Sequence, residues 1–183
     1  MRAFAALVPP QHAVDDLEDF LEPRRAAGTF RWSAPEQWHV TLAFYADVAE
    51  HRVDDLVEAL AAAAARRRTT PARIAGGGAF PHGVAAKVLW AGLVGDDEEL
   101  GRLAAGCRAA ASRAGTRVDG QPFRPHVTLA RIGAPQEVTR WVRLLDTYTG
   151  PEWVADTVTL LASHLGEGPR RRPRHEVLEE IAV

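Results

Sequence analysis

The chain of 183 residues contains a single cysteine and a single lysine, and no segment approaches twenty consecutive apolar residues. One thiol, Cys107, cannot close an intrachain disulfide or build a cysteine-based zinc cluster, and it fits a reducing cytoplasm. Its setting, "LGRLAAGCRAAASRAG", reads as helix, which makes Cys107 a buried structural thiol rather than a nucleophile. The apolar stretch of "MRAFAALVPPQHAVDDLEDF" is too short for a signal-peptide core or a membrane span, so a cytoplasmic protein without membrane contact is expected. With Lys87 the only lysine, almost all positive charge is arginine, as a bias of base composition would give. A net charge of −2 excludes broad electrostatic coating of a polyanion while permitting a local basic site. The glycines at 76–78 follow no dinucleotide pattern and lead to no P-loop Lys-Ser/Thr, so they signal a bend.

What is present is an ordinary globular composition, 46% apolar and 25% charged, which excludes disorder and fibrous repeats. The length suits one monomeric domain spanning 1–183, or two small lobes sharing an interface. "MRAFAALV" reads as a strand, and "QHAVDDLEDFLEPRRAAG" has helical spacing at Val14, Leu17, Phe20 and Leu21. "TFRWSAPEQWHVTLAFYADV" reads as strand, turn at Ser33 to Pro35, and strand. "EHRVDDLVEALAAAAARRR" is a helix with a stripe at Val53, Leu56, Val57 and Leu60; Arg66, Arg67 and Arg68 are expected in its last turn, complementing the helix dipole. Two strands, "PARIAGGGAF" and "AAKVLWAGLV", flank a loop, and "DDEELGRLAAGCRAAASRAG" is a helix with acids in its first turn. "FRPHVTLARIG" is a strand, "PQEVTRWVRLLDTYTG" a helix opened by Pro135, and "EWVADTVTLLASHLG" and "RHEVLEEIAV" two closing strands. Strands joined by both hairpins and helices predict an α+β fold with mainly antiparallel sheets and helices on one face.

The pentapeptide His-Val-Thr-Leu-Ala occurs twice, at 39–43 and 126–130, once in each half. Side chains alternate along a strand, so His39 and Thr41 point one way and Val40, Leu42 and Phe44 the other. His126 and Thr128 likewise oppose Val127 and Leu129, and small Ala43 and Ala130 follow at the next inward position, where they are expected to leave room for a ligand. One His-x-Thr is weak evidence, because half-buried strands often carry polar residues outward; its repetition is poorly explained by solvent exposure. If the halves pack about a pseudo-two-fold axis, two imidazoles and two hydroxyls meet across a cleft. In an in-line displacement at phosphorus, a neutral His can take a proton from the attacking oxygen while a protonated His gives one to the leaving oxygen. An ordinary imidazole pKa of about 6.5 makes both forms accessible near neutrality. The threonines can donate hydrogen bonds to non-bridging phosphoryl oxygens. No metal or other cofactor is required, and two His without nearby Cys or carboxylates are a poor metal ligand set.

With these motifs the chain resembles the two-histidine (2H) phosphoesterase superfamily, and within it the LigT-like RNA 2′,3′-cyclic phosphodiesterases, also known as 2′-5′ RNA ligases. The resemblance runs through "RAFAALVPP", "RWSAPEQWHVTLAFYADV", "FRPHVTLARIG", and "ASHLGEG" followed by "RHEVLEEIAV". It implies one bilobal domain of two intertwined lobes, each with one motif, and a cleft between them. It also implies His39 as proton donor, His126 as proton acceptor, and Thr41 and Thr128 as phosphate ligands. The implied reaction opens an RNA-terminal 2′,3′-cyclic phosphate with water to leave a 2′-phosphomonoester; some members also join or cleave 2′-5′ linkages. Two departures stand out. Family members commonly carry Lys-Phe-Leu-Gly after the first motif, where this chain has Ala43-Phe44-Tyr45-Ala46, and an Arg-Tyr pair opening the closing strand, where it has Arg174-His175.

Other candidates are weaker. Arg131 is a phosphate ligand only if a bulge or strand end turns it, since strict alternation sets it opposite His126. Arg170, Arg171, Arg172 and Arg174 fall in a hairpin loop, as solvated charge or as a guide for an RNA backbone. Phe80 and Phe123 read as core, with base stacking as the alternative. His12, His51, His82 and His164 read as surface or loop residues. The rival functions are a phosphodiesterase acting on a small cyclic nucleotide or ADP-ribose cyclic phosphate, and a non-catalytic module that binds RNA ends.

Overall fold

The computed structural model describes residues Met1–Val183. Strand β1 (Ala3–Leu7) is followed by α1 (Gln11–Leu21), β2 (Arg31–Trp32), β3 (Val40–Tyr45), α2 (Val53–Ala64), β4 (Thr70–Phe80) and β5 (Ala86–Gly95). Then come α3 (Asp97–Arg113), β6 (His126–Gln136), α4 (Thr139–Leu145), β7 (Trp153–Ala155), β8 (Thr157–His164) and β9 (Arg174–Ala182). Every strand pairing is antiparallel, as expected for an α+β chain with short connections.

Strand order is β7-β4-β5-β6-β3-β1-β8-β9, with β2 on β6. This order is symmetric about the junction of β6 with β3, where one pair, Val40 with Val127, joins the halves. On either side the partners correspond: β5 with β1, β4 with β8, β7 with β9. Helices exchange sides. Although α1 follows β1, it packs towards β4, where the Tyr148 hydroxyl donates to Asp16 at 2.7 Å; α3 follows β5 but packs on β3. There the buried Tyr45 hydroxyl donates to the Cys107 carbonyl at 2.7 Å. Burial pushes the Cys107 thiol up to about 12, the inert state expected of a structural cysteine.

Helix α3 starts where its sequence says it should: the Asp96 side chain caps the Glu99 N–H at 3.0 Å, and Asp97, Glu98 and Glu99 occupy the first turn. Three expectations need correction. Helix α2 stops at Ala64, so Arg66, Arg67 and Arg68 lie beyond it; Arg67 and Arg68 approach the buried Glu99 carboxylate instead, an ion pair replacing the dipole interaction. Pro135 does not open a helix but lies within β6, which continues to Gln136. Asp156 divides the penultimate strand into β7 and β8, which pair with opposite ends of the sheet.

One cluster of 41 buried residues lies under both halves, so they share an interior. A small second cluster, Phe4, Ala6 and Leu161 with Phe44 against it, marks the other face of the sheet.

Candidate active site

The site starts from the Val40–Val127 pair. Directly paired residues point to the same face, and both valines are fully buried. Their neighbours His39, Thr41, His126 and Thr128 therefore all point to the opposite face. The fold brings together the four side chains singled out by the repeat.

Both motifs carry the same irregularity. Between β1 and β3, Ala5 faces Ala43 and Ala6 faces Thr41, leaving Leu42 unopposed; between β5 and β6, Leu89 faces Ala130 and Trp90 faces Thr128, leaving Leu129 unopposed. Each is a β-bulge, which resets the alternation. Two expectations change as a result. Ala43 and Ala130 do not line a cavity: they are buried beside Leu42 and Leu129 in the shared core. Phe44 does not share a face with Val40 and Leu42 but joins the cleft face, as its contact with the Phe4 cluster shows. By the same reset Arg131 returns to the face of His126 and Thr128, near enough for its charge to act on both His39 and His126.

The imidazoles are held alike. His39 Nδ1 lies 2.7 Å from the Gln37 carbonyl and His126 Nδ1 2.5 Å from the Arg124 carbonyl, each two residues upstream. A carbonyl only accepts, so each Nδ1 carries the proton and each Nε2 is left for chemistry. Local sequence sets up this geometry. Pro35 opens a short 3₁₀ turn ending at Gln37, and Pro125 holds Arg124 extended just before His126.

Their surroundings differ. His39 packs on Phe4 with ring centroids 4.6 Å apart, and His175 of β9 stands edge-on at 5.4 Å from His39 and 4.9 Å from Phe4. His126 meets Phe80 edge-on at 4.9 Å and Trp90 at 5.8 Å. Burial, reinforced by His175, His126 and Arg131, lowers His39 to about 4, against the opposing pull of the Gln37 carbonyl. Burial and the Arg131 charge lower His126 as well, while the Arg124 carbonyl opposes them. Burial lowers His175. Both motif imidazoles are therefore neutral near pH 7 in the free site, and an arriving anion favours their protonation.

Phe80 is a wall of this cleft rather than a core residue, with the Arg124 guanidinium 5.9 Å above its ring. Phe123 packs against the core as expected. His12, His51 and His82 are exposed, and His164 is tied to Glu176 at 2.9 Å. Phe4 and Trp90 escaped the sequence reading. Their signal was alternation: Phe4 with Ala6, and Val88 with Trp90, occupy every second position of strands flanking the motifs. The bend at 76–78 is real, with Gly76 at φ +67 and a register shift beside it, and Gly78 has a further role. A Cβ there would meet the Trp90 ring at 2.2 Å, so only glycine lets the indole lie across β4.

A concavity of about 430 Å³ lies elsewhere, lined by Arg68, Thr69, Thr70, Pro71, Asp96 and Glu99. It holds no motif residue, and its charged groups are already engaged in the α3 cap and the Glu99 ion pairs. The concavity therefore lies apart from the repeated motif.

Residues 9–167 match the model of the 2′-5′ RNA ligase superfamily. A Geobacillus stearothermophilus protein named RNA 2′,3′-cyclic phosphodiesterase is 36% identical over 100 residues, 55% of this chain but only 32% of its own length. A Thermus thermophilus protein of the same name is 29% identical over all of this chain and 90% of its own. A crystal structure of a Thermus thermophilus protein superposes with a TM-score of 0.78 at 28% identity, covering 100% of this chain and 97% of the other. The match over 9–167, together with a fold shared from end to end, shows that the chain belongs to the 2′-5′ RNA ligase superfamily.

Proposed function

We propose that the chain is one domain of two intertwined lobes that opens RNA-terminal 2′,3′-cyclic phosphates by metal-independent acid–base catalysis, leaving a 2′-phosphomonoester. The observation that carries this reading is the pair of matched imidazoles, each with Nδ1 committed to a carbonyl and Nε2 free, on one face with two threonines and Arg131. Binding a phosphate alone would need cations and donors, not two groups that exchange protons. The names of the relatives support the same substrate.

The cyclic phosphate sits between the motifs, its non-bridging oxygens taking hydrogen bonds from the Thr41 and Thr128 hydroxyls and charge from Arg131. His126 Nε2 removes a proton from water as the oxygen attacks phosphorus. The bond to O3′ breaks, and His39 Nε2 gives that oxygen its proton. Water supplies both the new P–O bond and the net proton, so the pair ends with its protons exchanged and is reset by solvent. A ribose hydroxyl replacing water gives the 2′-5′ joining reaction through the same steps. No metal is needed to hold the phosphate, because the three donors and the two imidazoles already meet its charge. The buried reduced thiol suits a cytoplasmic setting.

The test is incubation of an RNA oligonucleotide ending in a 2′,3′-cyclic phosphate with excess EDTA, followed by ³¹P NMR. The proposal requires a 2′-phosphate product. A 3′-phosphate product, loss of turnover on chelation, or no turnover by folded protein would each refute a stated part of it.

A further inference from the structure

The in-line geometry also gives the substrate a direction, an inference that rests on the assignment of His39 as the acid. The attacking water lies on the His126 side, so the leaving O3′ and the ribose that carries it lie on the His39 side. What surrounds His39 there is the β8–β9 hairpin. His175 pairs with Ser163 and stands beside His39, and neither of its ring nitrogens has a partner in the chain. The loop is tied back to the first motif through Gln37. Its amide donates to the Pro173 carbonyl at 2.8 Å, while its own carbonyl holds His39.

This loop carries four arginines between residues 170 and 174. Arg174 is neutralised by Glu167 and Glu176 at 3.1 and 3.4 Å, but Arg170, Arg171 and Arg172 form no ion pair. Arg170 and Arg171 are exposed, and both have positive φ, 54° and 59°. Two consecutive non-glycine residues in the left-handed region are uncommon. The loop that follows β4, the strand corresponding to β8, runs from Phe80 to Val84 beside His126 and has no arginine.

We infer that the substrate is an oligonucleotide rather than a mononucleotide, with its terminal nucleoside against His175 and its strand leaving the cleft across the β8–β9 loop, where Arg170 and Arg171 hold the preceding phosphates. Guanidiniums suit phosphate oxygens, and each contact with single-stranded nucleic acid releases counterions.

The experiment compares kcat/KM for a five-nucleotide RNA and a mononucleotide, both ending in 2′,3′-cyclic phosphate. It uses wild type, Arg170→Glu/Arg171→Glu, and a control pair, Arg66→Glu/Arg113→Glu, on the groove between α2 and α3. Wild type should prefer the oligonucleotide at least tenfold. The loop variant should lose that preference, and its log–log salt slope should become shallower by about 1.4, two contacts at about 0.7 each. Preference kept by the loop variant, or lost equally by the control, would overturn the inference. His175→Ala should raise KM for both substrates with kcat nearly kept; a fall in kcat alone would place His175 with proton transfer instead. Binding of a product-like RNA ending in 2′-phosphate, followed by anisotropy, reads the loop without turnover. Inactive wild type that still loses this RNA on charge reversal would refute the reaction but not the direction of the strand.

Discussion

The two halves offer the same imidazole in different company. Around His39 stand Phe4 and a titratable His175; around His126 stand Phe80 and Trp90, with Arg131 on the same strand face. After the bulge the first half carries Phe44, capped at 4.9 Å by the Arg2 guanidinium, where the second carries Arg131. The repeat reproduces what both proposed proton transfers need, a bulged strand and an Nε2 left free by the Nδ1–carbonyl hydrogen bond. The flanking strands supply what should differ, since an acid and a base cannot share one environment and keep separate roles.

The strongest way to break this comparison is to remove one imidazole at a time. His39→Ala and His126→Ala should each lower kcat about 10²- to 10⁴-fold with near-unchanged circular dichroism, the range for a single proton-transfer group. The double variant should be little worse than either alone, because the pair acts as a unit. Additive losses would mean two independent sites.

Arg131→Met should follow. Losing a phosphate-facing cation weakens transition-state binding by about 10- to 10³-fold in kcat/KM. Removing the charge that helps depress both imidazoles should also move the pH profile upwards. A downward or absent shift would show that Arg131 points away.

The pH profile of wild type sharpens the contrast. With His39 at about 4 and His126 also lowered, the free enzyme at pH 8 rarely carries the one proton the reaction needs. Because kcat/KM reports the free enzyme, it should rise about tenfold per unit as pH falls from 8, and drop only once both groups are protonated. The bound phosphate favours the imidazolium, so kcat should be flatter. A kcat/KM optimum above 7 would contradict these environments.

Gly78→Ala should have the smallest effect. Its new methyl must displace the Trp90 ring, costing about 1–3 kcal/mol as overpacking does and loosening the wall behind His126 without touching His39. Thermal unfolding checks the first part, and NMR of the two histidine rings the second.

Much of this was legible in the sequence. The order of elements and the His-x-Thr faces follow from periodicity, because each motif strand has apolar residues towards a helix layer and polar ones away from it. The bulge was harder to read: the adjacent apolar pairs Leu42-Ala43 and Leu129-Ala130 break alternation, yet only cross-strand register shows an unopposed residue. That one-residue slip moves Phe44 off the face that alternation gives it, and it is the bulge on which the reading of Arg131 depends. Phe4, Trp90 and His175 reach the site through long-range pairing of β1, β5 and β9; alternation marks the face of Phe4 and Trp90, but no local pattern says which strands lie beside the motifs. The boundary at Pro135 failed for a different reason, because proline is compatible with a strand where its missing N–H is not needed.

The most direct measurement is to give the two single-histidine variants a substrate whose leaving group needs no proton, an RNA end with sulfur replacing O3′ in the cyclic phosphate. If His39 is the acid and His126 the base, His39→Ala should recover most of the wild-type rate on the 3′-thio substrate, while His126→Ala should remain inactive. Rescue of His126→Ala alone would reverse the roles, and rescue of neither would contradict paired proton transfer across the cleft.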